Sequence, residues 1–125
     1  MPRDAVTSDT PSALALPFSP AVRGAGLHFF SGQVATDPAT SELIEGDIGQ
    51  QTDQVLRNLM AALAAAGKDL GDVIRVGVYL TDMSHFGAMN NVYVRYFTEP
   101  YPARTAIGVA ALPLGAAVEM DAVVG

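Results

Sequence analysis

The 125-residue chain contains no cysteine, which excludes a disulfide framework, thiolate catalysis and any zinc site built on sulfur. Histidine is nearly as scarce. His28 and His85 lie far apart with neither HxxxH nor HxH spacing, so a histidine-based metal site has no support. Positive charge is thin as well: seven Lys plus Arg stand against thirteen Asp plus Glu, and the formal net charge of −6 repels phosphate backbones. Nucleic acid is a disfavoured partner. No segment approaches the ~20 apolar residues of a membrane span, and the N-terminal "MPRDAVTSDTPSALALPF" has an apolar run too short for a signal-peptide core. The default expectation is a cytoplasmic address with no membrane partner.

What is present is a globular composition, 50% hydrophobic and 16% charged without a charge block. A chain of this length removes roughly two-thirds of its unfolded surface from water on folding, enough for one core. It reads as one domain over 1–125, in which the Ser-, Thr-, Pro- and Asp-rich residues 1–12 form a loose tail.

Residues 16–34 read as two short strands broken by "RGAG", with Gly24 and Gly26 in the positive-φ conformations of a hairpin connection. Asp47 followed by Gln50 resembles a capping box. Ile48, Val55, Leu56, Leu59, Met60 and Leu63 then share a helical face that ends at Gly67. "DVIRVGVYLTD" is a strand. Ser84 caps a second helix with Phe86, Met89, Tyr93, Tyr96 and Phe97 buried, and Pro100 and Pro102 stop it. Two more strands, "TAIGVAAL" and "AVEMDAVV", follow around "PLGA". The order ββαβαββ predicts an α+β fold in which two helices cover one face of a sheet. The other face needs a cover: it is read as apolar, with Val118, Met120, Ala122 and Val124 on one side of the last strand and Thr105, Ile107 and Val109 on one side of the strand before it, and a second copy of the chain is the expected cover.

The unusual residues lie in "YPARTAIGVAALPLGAAVEMDAV". Period-two alternation puts Arg104, Ala106, Gly108 and Ala110 on one side of their strand, a guanidinium above a floor of small side chains. In the last strand Glu119 and Asp121 share the side away from Val118, Met120, Ala122 and Val124. Arginine suits bidentate recognition of a carboxylate, and glutamate suits holding or activating a water. Residue types alone favour a plainer reading, a cross-strand ion pair at the sheet edge worth roughly 0 to 1 kcal/mol. Asn90 reads as a solvent-facing helix residue. Ser31, before Gly32, reads as a turn hydroxyl without the partners of a serine nucleophile.

Three stretches, "SGQVATDPATSELIEGDIGQQTDQVLRNLMAALAAAG", "DVIRVGVYLTDMSHFGAMNNVY" and "PARTAIGVAALPLGAAVEMDAV", occur in the order found in the Rid proteins, the RidA or YjgF-like reactive intermediate deaminases. The chain resembles that family over 17–124. The resemblance implies a chorismate-mutase-like ββαβαββ subunit and a homotrimer whose sheets form a central barrel, with ligand sites in clefts between subunits. It also implies cofactor-independent hydrolysis of 2-imino and enamine acids, of the 2-aminoacrylate type, to a 2-keto acid and ammonia. By position, Arg104 matches the arginine that grips the substrate carboxylate and Glu119 the glutamate that orients the attacking water. Ser31, Gly32 and Asn90 match positions lining the cleft, and the backbone N–H of Ala106 matches a further carboxylate contact. Two positions depart from the pattern. Phe18 stands where many deaminating members have tyrosine, and Ala106 where many have cysteine, so a larger or more apolar substrate, such as a 2-aminomuconate type, or a non-catalytic carboxylate-binding trimer are the alternatives. Ribonuclease activity, attributed to some relatives, fits the acidic balance poorly.

Overall fold

The first strand pairing begins closer to the N-terminus than composition suggests. In the computed structural model, which describes residues 2–6 and 16–125, Asp4–Ala5 forms a two-residue strand β1 against Arg23 and Val22. Strands β2 (Ala21–Gly24) and β3 (Leu27–Gln33) follow as a hairpin. Its two-residue loop is Ala25-Gly26, with φ of 53° and 75°. The positive φ expected at Gly24 falls instead on Ala25, because Gly24 ends β2 and the two loop residues, both at positive φ as in a type I′ connection, are Ala25 and Gly26.

Helix α1 spans Ile48–Ala65. Asp47 accepts from the Gln50 N–H and Gln50 answers to the Asp47 N–H, both at 2.9 Å, so the capping box is complete. At the other end the N–H groups of Gly67 and Lys68 return to Ala64 and Leu63, and Gly67 takes φ 72°. Thr52, Val55, Leu56, Leu59 and Leu63 are buried. Met60, expected in the stripe, faces solvent, and Thr52 takes the buried place with its hydroxyl donated to Ile48 O at 2.7 Å.

Strand β4 (Val73–Leu80) leads to a 3₁₀ turn at Met83–His85 that runs into α2 (Phe86–Tyr93). The cap is Asp82, which accepts from Ser84 N, rather than Ser84 itself. The helix also stops well short of Pro100. Tighter i→i+3 bonds from Arg95 and Tyr96 unwind it past Val94. Phe97 is still buried, and Tyr96, half-buried, donates its hydroxyl to Asp53 of α1. Strands β5 (Ala103–Gly108) and β6 (Val118–Val124) complete the chain.

The sheet order is β1-β2-β3-β6-β4-β5, antiparallel except for the β4–β5 pair. Both helices lie on one face. Val76, Val78 and Leu80 of β4 pair with Ala122, Met120 and Val118 of β6, and these six are buried with α1 and α2. The apolar set of β6, expected on the uncovered face, is thus inside the subunit, because α1 and α2 pack on that side of the sheet; of the residues expected on the open face, Ile107 is found there. The opposite face is mixed, with exposed Phe29 and Ile107 beside Tyr79, Glu119 and Asp121. Gln51 of α1 accepts from Ala117 N at 3.1 Å and so ties the helix layer to the entrance of β6. No helix among the described residues is long and apolar enough to cross a membrane.

Candidate functional site

Arg104 and Glu119 do not meet. Strand β4 lies between β5 and β6, and register decides the rest: Arg104 pairs with Val76 on the helix-covered face, whereas Glu119 pairs with Tyr79 on the open face. The cross-strand ion pair favoured by residue types does not form, and no carboxylate pairs with Arg104 among the described residues. Two separate half-sites result.

The first half-site is built on the edge strand β5 and on α2. Pro102 precedes Arg104, whose side chain rises toward the helix layer, where Nη1 donates to Asn90 Oδ1 at 2.7 Å. The guanidinium carbon lies 4.7 Å from the centre of the Tyr93 ring and 5.6 Å from that of Phe86, within cation–π range of both. Asn90 is therefore half-buried against Arg104 rather than solvent-facing. Phe86, Asn90 and Tyr93 recur at i, i+4 and i+7, a single helix face. That spacing could have revealed Phe86 and Tyr93 as neighbours of the site; they read only as core. Around Arg104 is an open cleft of about 330 Å³ walled by Asn90, Tyr93, Val94, Tyr101 and Pro102. Ala106 follows two residues along β5 on the same face, partly buried against the core. The Tyr93 hydroxyl is buried without a hydrogen-bond partner among the described residues, and that burial pushes its pKa up against a smaller opposing effect of the Arg104 charge.

The second half-site lies on the open face, where β3 and β6 meet. The β3–β6 register slips between Phe30 and Gln33, and Gly32 sits in that irregular stretch. A Cβ on Gly32 would fall 2.7 Å from Glu119 Oε2, so the glycine is what lets the carboxylate lie against the β3 backbone. Burial first, and the charge of Asp121 second, hold the Glu119 carboxyl above the ordinary carboxylate range. Asp121 is itself fixed by Tyr79 Oη at 2.9 Å and Gly77 N at 3.1 Å, with Arg75 at 3.8 Å. Tyr79, Gly77 and Arg75 carried no site signal in the sequence, because their convergence depends on strand order. Ser31 donates its hydroxyl to Ser19 O at 2.7 Å, which commits its proton and anchors the segment beside Phe18. Phe18 is 59% exposed.

The chemistry available is then divided. One half offers a cation in an apolar-walled cleft, suited to a carboxylate; the other offers a carboxylate of raised pKa, suited to exchanging a proton with water.

Comparison with known proteins agrees with the sequence motifs. A family model described as Endoribonuclease L-PSP matches residues 7–125. A RutC family protein of Pyrococcus horikoshii is 48% identical over 107 residues, covering 86% of this chain and 85% of that protein. The 2-iminobutanoate/2-iminopropanoate deaminase of Mus musculus is 41% identical, covering 94% of this chain and 86% of its own. Among solved structures, RidA from an Antarctic Psychrobacter species superposes with a TM-score of 0.88 at 41% identity, covering 97% of this chain and 98% of that one.

Proposed function

The chain belongs to the Endoribonuclease L-PSP family, the Rid and YjgF-like proteins, and from that membership and the divided site we propose that it is a cofactor-independent deaminase of 2-imino and enamine acids. The substrate carboxylate binds Arg104 in the β5–α2 cleft. Glu119 from a second copy of the chain holds the attacking water. Water oxygen adds to C2 of the iminium while Glu119 takes its proton; the same carboxyl then protonates the nitrogen and, ionised again, takes the hydroxyl proton as the C–N bond breaks, which forms the keto group and expels ammonia. A raised pKa suits a group that must both accept and return a proton near neutrality.

The observation that carries this reading is the division itself. Both functional groups are present in one chain, yet on opposite faces of its sheet. One substrate can meet both only across an interface. We place that interface in a homotrimer packed through the open sheet faces, where Ile107, 45% exposed, and Phe29 lose contact with water. The iminium is already electrophilic, so holding water within about 3 to 3.5 Å of C2 supplies much of the acceleration.

The test generates imino acids in situ with an amino-acid oxidase and follows keto-acid release with and without the protein. Acceleration is expected for the wild type, and Arg104→Ala should remove it by roughly a hundredfold or more. An unchanged rate in that variant would refute the role of Arg104. Phe18 supports a second reading, a carboxylate-binding regulatory trimer, because a phenyl ring brings no hydroxyl to the water. Keto-acid-dependent thermal stabilisation without catalysis across small, branched and aromatic imino acids, and a 2-aminomuconate-type substrate, would favour it. Ribonuclease activity is disfavoured by the net charge of −6.

A further inference from the structure

We propose that Phe86, Asn90 and Tyr93 form a cradle that aims the Arg104 guanidinium without neutralising it, so that Asn90 is a positioning residue rather than only a wall of the cleft. The proposal rests on the carboxylate-binding reading of the cleft, and it adds what keeps that charge available.

Among the described residues the side-chain hydrogen bond and both aromatic contacts of the Arg104 guanidinium come from α2, and all three are neutral: an amide oxygen at 2.7 Å and two aromatic faces at 4.7 and 5.6 Å. Lack of a paired carboxylate is shared with Arg23, Lys68 and Arg95 among the described residues; what sets Arg104 apart is that an amide oxygen and two aromatic faces hold it. Arg57 is held by Asp53 at 2.8 Å, and Arg75 approaches Asp121 at 3.8 Å, so both of those cations have a carboxylate beside them.

The amide fits the task for a chemical reason. A guanidinium only donates hydrogen bonds, so Asn90 must turn its oxygen to Arg104, which leaves its Nδ2 hydrogens pointing elsewhere. Those two N–H groups have no acceptor among the described residues, and Asn90 lines the cleft. An aspartate of nearly the same shape would hold Arg104 more strongly but would place a negative charge beside the expected anion. The rings restrain the cation through their quadrupoles and keep water from its faces, which strengthens its attraction for an anion without supplying a counter-charge. One of the five N–H donors of Arg104 is used by Asn90 within the described residues, and the outward fork remains for a carboxylate.

The cradle is tested by titrating 2-oxobutanoate, a stable keto acid, into wild type, Asn90→Ala and Asn90→Asp by calorimetry, with thermal unfolding measured in parallel. The cradle requires the order wild type, then Asn90→Ala about tenfold weaker, then Asn90→Asp about a hundredfold weaker. Asn90→Asp should nevertheless unfold at the wild-type temperature or above, because its bond to Arg104 is kept. A merely structural tether gives the reverse ranking, with Asp the better replacement, and that result overturns the cradle. If Asn90→Asp does not fold, Asn90→Ala decides: weaker binding at unchanged stability supports the proposal, and unchanged binding overturns it. Binding without imine hydrolysis would remove the deaminase reading and leave the cradle standing, whereas a wild type that binds no carboxylate overturns both.

Discussion

Gly32→Ala separates the open-face half-site from the stability of the fold. The added Cβ would lie 2.7 Å from Glu119 Oε2, 2.8 Å from Cδ and 3.1 Å from Cγ. Carbon atoms in contact prefer about 3.5 to 4.0 Å, so the carboxylate must retreat by about 0.7 to 1.2 Å. If Glu119 positions the attacking water as proposed, a shift of that size costs on the order of a hundredfold in rate. The atoms that must give way are the end of a flexible side chain. Nor does Gly32 take a positive φ, so alanine meets no backbone strain, and loss of unfolded-chain freedom adds about 0.4 to 1 kcal/mol of stability. The expected result in the oxidase-coupled imine assay is a rate near that of Glu119→Gln, with an unfolding midpoint equal to or above wild type. If the loss acts through Glu119, the double variant Gly32→Ala, Glu119→Gln should be no slower than Glu119→Gln alone. A wild-type rate, or a loss that merely tracks a lowered midpoint, would refute the placement of the carboxylate against β3.

Three other outcomes follow from the same geometry. The Glu119 carboxyl is raised in the fold, so its contribution to stability is present below the unfolded pKa and is lost as pH rises through the folded one; Glu119→Gln should therefore gain stability over wild type in melts at neutral pH, and that gain should vanish in acid. Asp121→Asn removes the second cause of the shift and should move the acid limb of the kcat/KM profile to lower pH; an unmoved limb would argue that burial alone sets it. Ile107→Asp, on the open sheet face, should reduce the mass measured by sedimentation, and an unchanged mass, or a wild type that sediments as a single copy, would refute the face as an interface. In the core, Leu59→Ala removes a fully buried side chain from α1 and should cost about 2 to 5 kcal/mol in denaturant unfolding.

Local signals were legible where one segment decides its own structure. The Asp47–Gln50 box and the Gly67 stop formed because their partners lie within about one turn, and the helical period marked Val55, Leu56, Leu59 and Leu63 as buried but misplaced Met60. The alternation in β6 also held, with Val118, Met120, Ala122 and Val124 on one side and Glu119 on the other, but the apolar side lies under the helices rather than on the uncovered face where it was expected. The misreadings have one local and one tertiary cause. Ser84 looked like a cap, but Asp82 reaches the free N–H first. Asn90 looked solvent-facing because the arginine that buries it lies fourteen residues away, on a strand that folds beneath the helix.

By itself the sequence determined which residues share a side of each strand, because side-chain alternation is a property of one extended chain. It also determined the types of the groups, a guanidinium after proline and a carboxylate among apolar neighbours. Which side is covered, and which strands are neighbours, was decided by the tertiary structure. Placing β4 between β5 and β6 turns Arg104 toward α2 and Glu119 to the opposite face. Alternation within a strand carries no information about that placement, since strand order is set by long-range pairing and by where the helices pack.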